Sequence, residues 1–127
     1  MTAESSDHSG EQFVVEYYYK VRWGHQEEFL RLFRKNHLPV LLREQETGKI
    51  ADFSAVAPRY HATEDGRWDY RVTISFRDAV AAMSGPLPEA ELRKLFPDKE
   101  TFEREEQRRF EILDAHWDLP LVALQLS

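Results

Sequence analysis

Five large apolar residues recur at every second position from Trp68 to Phe76, as Trp68, Tyr70, Val72, Ile74 and Phe76, with Asp69, Arg71, Thr73 and Ser75 between them. A helix cannot bury that set on one side, so the segment is a strand with one covered face, and the fold must supply a layer to cover it. The same period runs from Phe13 to Trp23, where Phe13, Val15, Tyr17, Tyr19, Val21 and Trp23 alternate with Glu16, Tyr18, Lys20 and Arg22. A weaker alternation, Phe53, Ala55 and Ala57 against Asp52, Ser54 and Val56, predicts a strand over Ile50–Tyr60. A turn at Glu64-Asp65-Gly66 joins it to the Trp68 strand as a hairpin.

The covering layer comes from two helical stretches. Phe29, Leu32, Phe33, Asn36 and Val40 recur at helical spacing, with Gly24 placed to cap the start and Gly48 to end it in a left-handed turn, so a helix is expected from about His25 to Thr47. Pro39 lies inside it and lacks the N–H that would bond the Lys35 carbonyl, which predicts a kink or break near His37. After a helical turn over Arg77–Met83 and a short helix from Pro88 to Phe96, Asp98 caps a second long helix. Its expected stripe is Phe102, Glu106, Phe110, Leu113 and Trp117. Leu119–Leu126 reads as a closing buried strand.

The resulting order, β-α-β-β-α-β, gives an α+β fold of the ferredoxin-like kind, with both long helices on one face of an antiparallel sheet. A chain of 127 residues supports one such domain, over residues 12–127, behind a polar tail over residues 1–11. The net charge of −6 disfavours nucleic acid and anionic membrane as partners. The absence of cysteine removes disulfides, a thiolate nucleophile and Cys-based zinc sites, and His25, His61 and His116 share no ligand spacing, so no metal is expected. No apolar run is long enough to span a bilayer and no basic-then-apolar leader opens the chain, which points to the cytoplasm.

The stretch Phe29-Leu30-Arg31-Leu32-Phe33-Arg34-Lys35-Asn36-His37-Leu38-Pro39-Val40-Leu41 resembles the first helix of the dimeric α/β barrel superfamily, in which a His-X-Pro element is frequent among EthD-like and NIPSNAP-like members. The resemblance implies a homodimer in which the uncovered sheet faces meet. It also implies an enzyme working without an organic cofactor, as a monooxygenase, cyclase or isomerase, on an aromatic or conjugated carbonyl compound. The haem-degrading branch expects an Asn on strand one and a His after strand three, and neither is present, so haem is not implied. The alternative function is a non-catalytic homodimer that binds a hydrophobic ligand or serves structurally.

If Tyr70, Val72, Ile74 and Phe76 face the helices, the other sheet face carries Tyr18, Lys20, Arg22, Arg71, Thr73 and Ser75. One reading of that face is a solvated surface with charges paired across strands. The functional reading is a ligand cavity inside a barrel, with Arg71 holding an anionic or enolate oxygen and Tyr18 or His37 moving a proton. Arg22, Trp68 and Asn36 are the expected ligand contacts. His37 and Asn36 are equally explained as side chains that satisfy backbone freed at the Pro39 break. Val14, Tyr18, Val56 and Leu121 make the uncovered face apolar enough to expect a second copy of the chain against it.

Overall fold

The computed structural model describes residues 11–127; the expected tail therefore lies almost entirely outside the described residues. Four antiparallel strands, β1 (Phe13–Val21), β2 (Ile50–Val56), β3 (Tyr70–Phe76) and β4 (Leu113–Leu121), form one sheet in the order β2-β3-β1-β4. The helices are α1 (Gln26–Leu32), α2 (Leu38–Glu46), α3 (Ala79–Ala82), α4 (Glu89–Leu95) and α5 (Lys99–Glu111). This is the expected α+β, ferredoxin-like architecture. None of these helices is long and apolar enough to cross a membrane.

β1 is the central strand. It pairs with β3 on one side (Tyr17 opposite Val72, Tyr18 opposite Arg71) and with β4 on the other (Tyr18 opposite Trp117, Tyr19 opposite His116). Its odd-numbered residues, Val15, Tyr19 and Val21, are buried together with Val72, Ile74 and Phe76 against Phe29, Phe33 and Leu41 of the helical layer. Burial of these side chains is the main apolar stabilisation, on the order of 1.5–3 kcal/mol for each large one.

The first helical stretch is interrupted where Pro39 predicts it. Between α1 and α2, Phe33–His37 forms a π-helical segment, and the Leu38 N–H donates to the Phe33 carbonyl five residues back. Pro39 has no N–H for the Lys35 carbonyl, and its ring would crowd that oxygen in an unbroken α-helix; widening the preceding turn relieves both problems. The wide turn buries Phe33 and Asn36 together.

Four expectations are corrected. The second long helix ends at Glu111, not near Trp117, and Leu113 and Trp117 belong to β4. The closing strand is accordingly Leu113–Leu121, beginning six residues earlier than expected, and as an edge strand it is largely exposed instead of buried. Trp68 does not continue the covered face of β3. That strand begins at Tyr70, and the Trp68 ring packs edge-on against Tyr18, 5.3 Å between centroids. The β2 strand also stops at Val56, and residues 57–69 run outside the sheet.

Sequence reasoning did not anticipate Arg67, which is 3% exposed. Its guanidinium donates to Glu64 Oε2 (2.8 Å), Asp69 Oδ2 (2.6 Å) and the Val21 carbonyl (2.9 Å), reaches Asp114 Oδ2 at 3.5 Å, and lies over the Trp23 ring. Asp69 Oδ2 in turn accepts from the Val21 N–H at 2.7 Å. One buried cation thus ties the end of β1, the approach to β3 and the start of β4. Because removing it leaves carboxylates facing each other without their counter-charge, Arg67→Met is expected to lower stability by about 3 kcal/mol in urea denaturation at neutral pH. Asp114→Asn, at the exposed end of the network, should cost less than about 1 kcal/mol.

Candidate functional site

The pleat of β1 divides the expected site residues between two faces. Tyr17 and Tyr19 point toward the helices and Tyr18 points away, because successive strand side chains alternate. Tyr18 and Arg71 are direct cross-strand neighbours on the uncovered face, as expected. The Tyr18 hydroxyl donates to Glu16 Oε1 at 2.8 Å, which raises the tyrosine pKa, and Arg71 Nη1 stands 3.9 Å from Glu16 Oε2. Tyr18 stacks on Trp117 at 5.4 Å and meets the edge of Trp68, over which the Arg71 guanidinium lies at 6.0 Å. Arg71 Nε is buried and has no hydrogen-bond partner among the described residues.

His37 is on the other side of the sheet. Of the expected set, with Arg71 holding an oxygen and Tyr18 or His37 moving a proton, the sheet divides the members: Tyr18 and Arg71 lie on one face and His37 on the other. Asn36 is 1% exposed and donates through Nδ2 to Glu105 Oε1 at 3.1 Å, beside the Lys35–Glu105 ion pair. Its amide fastens the π-helical segment to α5. Arg22 is an exposed side chain 3.9 Å from Asp114.

The space on the helix side is a cavity of about 360 Å³ between the sheet, α2 and α5. Tyr17, Tyr19, Val72 and Ile74 form its floor, and His37, Leu41 and Arg109 stand on the opposite wall. Gly85 and Pro86, ahead of α4, and His116 and Asp118, from β4, border it as well. Lys49 bridges Glu44 Oε2 (3.0 Å) and the Gly85 carbonyl, joining the end of α2 to the segment before α4.

The polar groups on this wall are unusual for their setting. Burial, reinforced by the positive charge of Arg109 and opposed by Glu106, pushes His37 down to about 4, so its imidazole is neutral at physiological pH. Among the described residues its ring makes an edge contact with Phe33, centroids 5.0 Å apart, and no hydrogen bond. Burial and the nearby Asp118 push the Tyr17 phenol up to about 12, which keeps it a proton donor. Arg109, 2% exposed, is held to Glu106 by two parallel bonds, Nε to Oε1 at 3.0 Å and Nη2 to Oε2 at 3.2 Å. Its third nitrogen, Nη1, is buried with no partner among the described residues.

Glu106 falls inside the stripe expected for the second long helix, where sequence favours a helix end lifting off the core over pairing with Arg109; the structure shows the pair. The partner's unused nitrogen and the tyrosines of the covered face were not recognisable, because strand alternation marks Tyr17 and Tyr19 only as core. Among the described residues, no group of three or more His, Asp or Glu side chains is arranged to hold a metal ion.

No family model matches the chain, and no curated protein matches it. Its fold does match solved structures. A dimeric ferredoxin-like protein from an uncultured marine organism superposes with a TM-score of 0.60 at 8% identity, covering 96% of this chain and 97% of that one. A NIPSNAP domain protein from Burkholderia xenovorans gives 0.55 at 14% identity, over 91% and 97% of the two chains. SnoaB, a cofactor-independent oxygenase from Streptomyces nogalater, gives 0.55 at 13% identity, over 91% and 96%. None of these three is described as EthD-like, so that narrower likeness rests on the His37-Leu38-Pro39 element alone. The chain has the ferredoxin-like fold that these solved structures share.

Proposed function

We propose that the protein is a small-molecule enzyme whose reaction chamber is the cavity between the sheet and α2 and α5, acting by proton transfer on an aromatic or conjugated carbonyl compound. The observation that carries this reading is a neutral imidazole facing an aromatic-walled cavity beside a buried cation. In this reading His37 accepts the proton from a carbon next to a carbonyl. The C–H electron pair forms a carbon–carbon double bond, the carbonyl π pair moves onto its oxygen, and the proton goes to a ring nitrogen of His37. Negative charge developing on the substrate offsets Arg109, which lets His37 hold the proton more firmly than it does in the empty chamber. Tyr17, kept protonated, is placed to donate to a substrate oxygen.

A methyl aryl ketone such as acetophenone, incubated with the protein in heavy water, should exchange its methyl protons faster than in buffer. His37→Gln should reduce that acceleration by about 100-fold or more. Exchange no faster than buffer across a series of aryl ketones would leave the chamber as a binding site without this chemistry.

The depressed basicity of His37 also has a stability consequence. The folded-state value of about 4 lies below the ordinary value near 6.5, so between those pH values the unfolded chain binds the extra proton. The stabilisation associated with neutral His37 is complete above about pH 6.5 and is lost as pH falls toward about 4, at roughly 1.4 kcal/mol per pH unit before solvent screening reduces it. His37→Gln should therefore flatten the wild-type decline in urea stability between about pH 6.5 and about pH 4.5. An unchanged decline would mean that His37 is not buried in its neutral form.

On the other face, Tyr18, Trp68, Trp117 and Arg71, with the half-exposed Leu119 and Leu121, support a seat for a second copy of the chain. In this reading Tyr18 and Arg71 serve the join between two sheets. Light scattering should give about twice the chain mass, and Trp117→Arg should shift it toward the monomer. A monomer at all concentrations for the unaltered protein would remove the dimeric reading.

A further inference from the structure

We propose that Asp118 selects one end of the ligand, and that the compound taken by this cavity carries, besides its carbonyl, an organic cation such as a protonated amine. This rests on the cavity being the ligand site. Asp118 lies directly opposite Tyr17 in the β1–β4 register, so both side chains leave the sheet on the helix-facing side, and both line the cavity. β4 is an edge strand and Asp118 is exposed, which puts its carboxylate at the rim with surface open to an incoming group. Among the charged side chains of the lining, it alone makes no hydrogen bond or ion pair with the described residues. Lys49 is held to Glu44 at 3.0 Å and Arg109 to Glu106 at 3.0 Å.

The chemistry of the occupant follows from how little is gathered around this carboxylate. A metal ion asks for several hard ligands, and no three His, Asp or Glu side chains come together for one among the described residues. An organic cation asks for one counter-charge and an aromatic surface, which Asp118 and the adjacent Tyr17 supply. Its place is set by the other charges. Arg109 acts on His37, so a positive group is disfavoured at that wall and the carbonyl end of the ligand goes there. At the rim an ammonium keeps part of its water while gaining the carboxylate. The gain is that of a solvent-touched pair with an aromatic neighbour, about fivefold in affinity. Pairing also offsets the negative charge that helps burial to hold the Tyr17 phenol up, which makes that phenol a readier donor to the substrate oxygen.

The test compares three acetophenones of similar shape by calorimetric titration at neutral pH and low salt. They are para-(aminomethyl)acetophenone, an ammonium at that pH, the uncharged para-ethylacetophenone, and the anion para-acetylphenylacetate. The unaltered protein should bind the ammonium about fivefold more tightly than the ethyl compound, and the anion more weakly than either. Asp118→Asn keeps the shape and drops the charge of an exposed residue, and should bring the ammonium and the ethyl compound within about twofold of each other. Asp52→Asn removes the same charge from an exposed position on β2 outside the cavity lining, and should keep the full preference. A preference that persists in Asp118→Asn, or that Asp52→Asn removes equally, overturns the role of Asp118. Ammonium and ethyl compounds bound equally by the unaltered protein overturn the cationic selection and leave the cavity as the ligand site. Binding of none of the three by the unaltered protein overturns the cavity reading, and this inference with it.

Discussion

Pro39 cannot donate a hydrogen bond, and the placement of the helical layer over the sheet follows from how the chain accommodates that. A continuous α-helix from Gln26 to Glu46 would advance each residue by the same angle; the wide turn at Phe33–His37 advances less per residue and so offsets the faces of its two halves. Phe29 and Phe33 before the offset and Leu41 after it all reach the core, while His37 comes to rest at the cavity wall. The π-helical segment is fastened from outside by Lys35 and Asn36, which both bind Glu105 of α5. The same residue that interrupts the helix therefore sets where the imidazole stands relative to Arg109, four residues further along α5 than that anchor.

The sheet acts as a partition. Because β1 is central and hydrogen-bonded on both edges, its side chains are committed to one face or the other with no intermediate choice. Three consecutive tyrosines show the result. Tyr17 and Tyr19 line the half-open cavity on the helix side, and Tyr18 between them joins a stack with Trp117 and Trp68 on the opposite surface. The electrostatic environments differ accordingly: Tyr17 is raised by burial and Asp118, whereas Tyr18 is raised chiefly by its bond to Glu16.

Elements whose local pattern agrees with their tertiary setting were readable from the sequence. The Tyr70–Phe76 alternation, the Asp98 cap, which accepts from the Thr101 N–H, and the break before Pro39 are of this kind. The boundary between α5 and β4 was not, because Phe110, Leu113 and Trp117 fall by coincidence at helical spacing. The competing period-two pattern, Leu113, Ala115, Trp117, Leu119 and Leu121, decides the matter only once β1 offers an edge to pair with. The candidate site was half legible. His37 and the Tyr18–Arg71 pair could be picked out individually, but which face each occupies relative to the helices depends on long-range packing. Arg67 and Arg109 were missed as buried groups since an arginine in a polar run reads as surface until its carboxylates are seen to converge.

The central strand also governs how the chain can change length in evolution. An insertion in residues 57–62, which are exposed and run outside the sheet ahead of the Arg67 network, alters a surface excursion and leaves both faces intact. One residue added or removed within Phe13–Val21 would exchange every side chain across the partition, moving Tyr18 into the cavity and Tyr17 or Tyr19 onto the outer surface. Relatives of this protein should therefore differ in loop length freely but keep the count of residues in β1 fixed.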